Sequence, residues 1–150
     1  MQIIKTSNLT QARKQIQELK KQNKTIIVQA QDDVFNRKIF ENKDIDIILS
    51  PESHNKKDYM KQRDSGLNEI LCKLAKENNI KIGISLLEIQ KLPAKQKAII
   101  LSRIKQNIAL CKRTKTQIII LDKEKHNKQE ITSLFLTLSA STQQAKQAIE

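Results

Sequence analysis

Short β-branched runs and helical apolar stripes take turns along this chain. Ile3 and Ile4, inside the run Gln2 to Lys5, predict a first strand, and Leu9, Ala12, Ile16 and Leu19 then recur at helical spacing to about Gln22. Asn8 or Thr10 can cap that helix, since a short side-chain oxygen accepts from the first free helical N–H groups. Thr25 to Ala30 predicts a second strand, and Asp32 or Asp33 opens a short helix with Val34, Ile39 and Phe40 as buried positions. Ile45 to Leu49 predicts a third strand, so the rhythm is β-α-β-α-β, the order that makes a parallel sheet covered by helices.

The rhythm breaks at Ser50 to Gln62, a polar stretch with Pro51, His54 and Tyr59 but no apolar period. It follows a strand, and loops at strand C-termini are where parallel sheets bind ligands. It runs into Arg63-Asp64-Ser65-Gly66-Leu67-Asn68, with Leu67, Ile70, Leu71, Leu74 and Ala75 as one apolar helical face behind it. Asp64 or Ser65 is the expected cap. A glycine-bearing helix start beside Arg63 can hold a phosphate, because N–H groups and the dipole favour an anion. Capping by Ser65, relief of crowding at Gly66 and a solvated Arg63 explain the same residues without a ligand.

Ile80 to Ile84 predicts a fourth strand, Leu86 to Ile89 a helical turn, and Pro93 the first turn of a helix to about Arg113. Ile100, Ile104, Ile108 and Cys111 should face inward there, with Lys95, Lys97, Arg103, Lys105, Lys112 and Arg113 outward. Gln117 to Leu121 predicts a fifth strand, Asp122 to Gln129 a charged loop, and Glu130 to Leu138 and Thr142 to Ile149 two closing helices, the last capped by Ser141. The 150 residues suffice for one domain with a core.

Charge changes the picture most. The formal net charge is +12, dispersed over lysines, which fits a polyanion met through its phosphates. With no Trp, one Tyr and three Phe, base stacking on aromatic platforms is a poor fit. Cys72 and Cys111 are far apart in sequence, so reduced thiols in the cytosol are expected rather than a disulfide framework. The N-terminus has too short an apolar run for a signal peptide, and no stretch reaches membrane-spanning length. His54 and His126 lack metal-ligand spacing, and Asp32, Asp33 and Asp122 read as caps before they read as acid–base groups. Glycine is too scarce for a phosphate loop or a dinucleotide fingerprint. Neither a metal nor a cofactor is therefore expected on this chain.

Arg63-Asp-Ser65-Gly66-Leu67-Asn68, then Leu71-Cys-Lys73-Leu-Ala75 and Ile82-Gly83-Ile-Ser85, resembles the archaeal ribonuclease P protein component 3 family, whose eukaryotic relative is the thirty-kilodalton subunit. The likeness continues through Arg103-Ile-Lys-Gln-Asn107-Ile-Ala-Leu110-Cys111-Lys112 and Leu138-Ser139-Ala-Ser141-Thr-Gln-Gln-Ala145-Lys146. It covers most of residues 46–150; before that only the strand–helix rhythm agrees. Two departures stand out. Ile120 to Lys128 lacks the family's serines and Arg-x-Pro, and Thr137 stands where the family's closing glycine would be.

The resemblance implies an α/β fold of parallel β/α units, like a TIM-type barrel related to metal-dependent phosphoesterases but without their metal site. A full barrel takes about 250 residues, so with five strands this one is shortened. It also implies a non-catalytic subunit of ribonuclease P, in which RNA removes the 5′ leader of precursor tRNA. Partners would be that RNA, protein component 2 and other ribonuclease P proteins, with precursor tRNA contacted indirectly and magnesium held by the RNA. The expected RNA-binding residues are Arg63, Ser65, Gly66, Asn68, Arg103, Lys112 and Arg113. The alternatives are a small phosphoesterase with a degenerate barrel, and a basic scaffold that binds only protein.

Overall fold

The computed structural model describes residues 1–150. Five short parallel strands, β1 (Ile3–Ile4), β2 (Ile27–Gln29), β3 (Ile47–Leu49), β4 (Lys81–Ile84) and β5 (Ile118–Ile120), lie side by side in chain order. Each new strand is added to the same edge, which is how a β/α barrel grows and a doubly wound sheet does not. The helices between them are α1 (Leu9–Lys21), α2 (Asp33–Phe40), α3 (Glu69–Glu77), the short α4 (Leu86–Gln90) and the long α5 (Ala94–Thr114). A 3-10 turn (Lys123–Lys125), α6 (Lys128–Thr137) and α7 (Thr142–Ala148) follow β5. The fold is a shortened TIM-barrel-like α/β structure.

Alternation along the strands sends Ile4, Val28, Ile48, Ile82, Ile84, Ile118 and Ile120 into one large core with the helices. The opposite face, which would line a barrel, carries Ile27, Ile47 and Leu49, with Ile3, Ile119 and Leu121 partly covered beside them. Gly83 belongs to this inner face, where an added Cβ would stand 2.8 Å from the Ile47 Cγ2.

Helix starts follow their side chains. Asn8, Asp32 and Ser141 cap α1, α2 and α7, and Ser141 with Gln144 completes a reciprocal capping box. Three expectations fail. The cap of α3 is Asn68, whose Oδ1 accepts from the Leu71 N–H at 2.8 Å, so neither Asp64 nor Ser65 starts that helix. Beginning later, α3 buries Cys72 and Ala75 and leaves Ile70 60% exposed. In α2, Phe35 and Asn36 take the inner positions and Val34 is turned to solvent.

The third concerns Arg103, which faces inward from α5 and is only 4% exposed. Its neighbours on the inner stripe are Ile100, Ile104, Asn107, Ile108 and Cys111. One turn beyond Asn107, Cys111 meets Cys72 of α3, sulfur to sulfur at 4.0 Å. The thiols distant in sequence are thus packed neighbours, both free and both buried. The Cys72 sulfur, together with burial, pushes the Cys111 thiol up from its ordinary value.

Asp122, after β5, also caps at a distance. Its carboxylate accepts from the Leu86 and Leu87 N–H groups at the start of α4 (3.1 and 2.8 Å) and from the Ser85 hydroxyl. Burial would raise its pKa, but these N–H donors and His126 hold it below the usual carboxylate range.

Candidate RNA-facing site

The 50–67 loop leaves the C-terminal end of β3 and crosses the mouth of the half-barrel. A chain so polar cannot order itself by apolar packing; Arg103 orders it from below. Its Nη1 donates to the carbonyls of Glu52 and His54 at 2.9 and 3.0 Å, and its Nη2 donates to that of Lys56 at 2.9 Å. Nε meets the Asp58 carboxylate at 3.0 Å. A planar guanidinium with several donors suits this task, since it can gather alternate carbonyls of an extended segment and a carboxylate together.

The second Asp58 oxygen takes Arg63 Nη1 at 2.9 Å, and the first also accepts from the Asp64 N–H at 2.7 Å. Burial alone would raise the Asp58 pKa, but the bonds from Arg63, Asp64 and Arg103 hold it at about 2. His54 is pinned at both ring nitrogens: Nδ1 accepts from the Lys56 N–H at 3.2 Å, so Nε2 carries the proton towards the Asp64 carbonyl at 2.6 Å.

The loop's far end is held by the next turn of α5. Asn107 Nδ2 donates to the Ser65 carbonyl at 3.1 Å, and Gln106 Nε2 to the Ser65 hydroxyl at 3.2 Å. Gly66 follows with φ +79°, and a Cβ there would overlap the Pro51 carbonyl oxygen. Ser65 and Gly66 therefore fold the loop back on itself. Gly66 lies before the helix rather than at its first turn, and its own N–H points to Asp64 Oδ1. A phosphate at a glycine-bearing helix start, one of the two readings of this stretch, is not supported by this geometry.

Glu52 is the one buried carboxyl left without a partner. It is 1% exposed and neither oxygen receives a hydrogen bond. Burial pushes its pKa up to about 7, against the lowering effect of its own backbone and of Arg103. A carboxyl whose folded pKa is raised binds more protons in the folded chain, so stability is full below its unfolded pKa and falls as pH rises towards 7. The difference between pH 5 and 8 should be of the order of a few kcal/mol. Glu52→Gln should flatten this dependence and be the more stable form at pH 8, as read by urea unfolding at the two pH values. An equally steep profile in the variant would place the titrating group elsewhere.

Between this loop and the α4–α5 corner lies a cleft of about 720 Å³ at the strand C-termini. Lys56, Lys57 and Arg63 line one side, while Ile89, Leu92 and Ile99 line the other. Lys56 reaches across to Asp33 at 2.7 Å, whereas Lys57 is exposed and makes no ion pair. No group of three or more His, Cys, Asp or Glu side chains stands together as metal ligands would.

The residues singled out from sequence thus divide. Arg63, Ser65, Gly66, Asn68 and Arg103 converge on the loop, but Ser65, Gly66 and Arg103 are used up in holding it. Arg63 is half-exposed with one edge on Asp58, and Asn68 spends its oxygen on the cap. Lys112 and Arg113 are exposed at the opposite end of α5, about 15 Å from Arg103 by helical rise. Sequence reasoning missed Asp58, Glu52 and the cleft wall of α4. The inward place of Arg103 was missed as well.

A half-barrel of β/α units whose mouth is crossed by an arginine-pinned polar loop defines a β/α-barrel protein. No protein-family profile matches the chain. Relatives named ribonuclease P protein component 3 do. That of Methanococcus maripaludis is 26% identical over 117 residues, 78% of this chain and 47% of the relative. That of Methanococcus vannielii is 25% identical over 117 residues, 78% and 48% of the two chains. That of Methanosarcina acetivorans is 30% identical over 95 residues, 63% and 36%. In the cryo-EM structure of an archaeal ribonuclease P with mature tRNA, one chain superposes with a TM-score of 0.81 at 22% identity, over 98% of this chain and 62% of that one. The chain is similar in sequence to ribonuclease P protein component 3 proteins, and it spans about half the length of the Methanococcus relatives it matches.

Proposed function

We propose that this chain is a non-catalytic protein subunit of ribonuclease P that supports the catalytic RNA in removing the 5′ leader of precursor tRNA. The match to component 3 proteins across 78% of the chain carries the reading. The +12 charge and the exposed Lys57, Arg63, Lys112 and Arg113 support it, since structured RNA is held by shape and phosphate more than by base edges. Its partners are the ribonuclease P RNA, component 2 and the other proteins of the particle, in the cytoplasm; magnesium belongs to the RNA, and no cofactor to this chain. No helix is long and apolar enough to cross a membrane.

RNA affinity should therefore fall steeply with salt, at a log–log slope of roughly −0.7 to −0.9 per neutralised phosphate. Replacing Lys112 and Arg113 together by alanine should make the slope shallower by about one to two such contacts. Titrations at several salt concentrations measure this; an unchanged slope removes both residues from the footprint. The phosphoesterase alternative has a separate test: phosphodiester turnover by the purified chain with manganese or zinc and no RNA would favour it.

A further inference from the structure

The cleft at the half-barrel mouth has two unlike walls, and one ligand chemistry matches both. The loop wall presents Lys57 with no ion pair and Arg63 with one edge free, next to Lys56. The wall across from it, from the end of α4 and the first turns of α5, presents Leu92 and Ile99 over the buried Ile89, with Gln96 and a Glu88 already paired with Lys91 beside them. A bare phosphate would use only the cations. An RNA duplex has its bases stacked inside and would ride over the rim. A nucleotide extruded from a helix carries a phosphate and an apolar base face at the same time. The 720 Å³ volume falls in the roughly 300–1,000 Å³ range of small-ligand sites, ample for one such unit.

We infer that this cleft holds a single unpaired nucleotide of RNA, its phosphate on Lys57 and Arg63 and its base against the Ile89–Leu92–Ile99 wall. The inference rests on the reading of the chain as an RNA-binding subunit. It explains why the loop is clamped so firmly from below: Arg103 holds the 52–58 backbone, so that the cations above it are presented without the cost of ordering a free loop. Because the base wall is aliphatic, discrimination among the four bases should be weak.

The test uses the full chain and three hairpin RNAs: fully paired, with one bulged nucleotide, and with an abasic residue at the bulge. Fluorescence anisotropy at one low salt concentration should give the bulged hairpin roughly fivefold or greater advantage over the paired one, with the abasic form losing most of it. Lys57→Ala, a surface change, should abolish the advantage while the paired hairpin still binds; Leu92→Gln should do the same from the opposite wall. Equal affinity for bulged and paired hairpins overturns the inference and leaves the subunit reading standing. Binding to none of the three overturns both.

Discussion

Arg103→Ala is expected to lower the unfolding free energy by about 3–5 kcal/mol, the usual cost of removing one partner of a buried ion pair. The substitution would leave the Asp58 carboxylate without a buried cation and free three backbone carbonyls, at Glu52, His54 and Lys56, that have no other donor on α5. For a domain of this size each kcal/mol shifts the melting temperature by about 2–4 °C, so a drop of roughly 6–20 °C should be seen by calorimetry. Arg103→Lys should recover only part of the loss, since a single ammonium cannot reach a carboxylate and three carbonyls in one plane. A change under about 1 kcal/mol in the alanine variant would mean the loop orders itself by other means.

Gly66→Ala should be nearly as costly, about 3 kcal/mol or more, for two additive reasons. A φ of +79° costs an L-residue roughly 1–2 kcal/mol, and the new methyl would overlap the Pro51 carbonyl oxygen, a backbone atom that cannot rotate aside. Gly83→Ala is the internal comparison. There the crowded atom is a side-chain methyl of Ile47 and φ is not positive, so about 1–2 kcal/mol is expected. Urea unfolding of the two variants side by side decides the order. If Gly83→Ala were the worse of the two, the close approach of the 66 and 51 backbones would not be what shapes the mouth.

The strand and helix order was legible because the strands are short stretches rich in Ile, Val and Leu and most helices open on Asn, Asp or Ser. Ser141, Asp32 and Asn8 do what their side chains suggest. At α3 several candidate caps compete within five residues, Asp64, Ser65 and Asn68, and tertiary bonds decide among them. Asn107 and Gln106 engage Ser65, Gly66 takes the left-handed turn, and only then is Asn68 free to cap. The candidate site was partly legible. The polar loop after β3, and the turn from Arg63 to Asn68 that closes it, stand out from pattern alone. The inward turn of Arg103 did not, because a charge on a helix is read as solvent-facing unless its buried partners are known. Those partners are the Asp58 carboxylate and backbone carbonyls 47 to 51 residues away, which leave no trace in composition. The buried carboxyl of Glu52 and the distant capping by Asp122 were hidden for the same reason.

Cleavage of precursor tRNA by the reconstituted particle measures the proposed role of the chain itself. The ribonuclease P RNA would be assembled with component 2 and the other proteins, with and without this chain, across a magnesium series. Adding the chain should raise the rate of 5′ leader removal, most at low magnesium. Arg63→Ala, whose half-exposed side chain leaves Asp58 still paired with Arg103, should lose part of that gain while melting at nearly the wild-type temperature. Equal cleavage with and without the chain at every magnesium concentration would contradict that role.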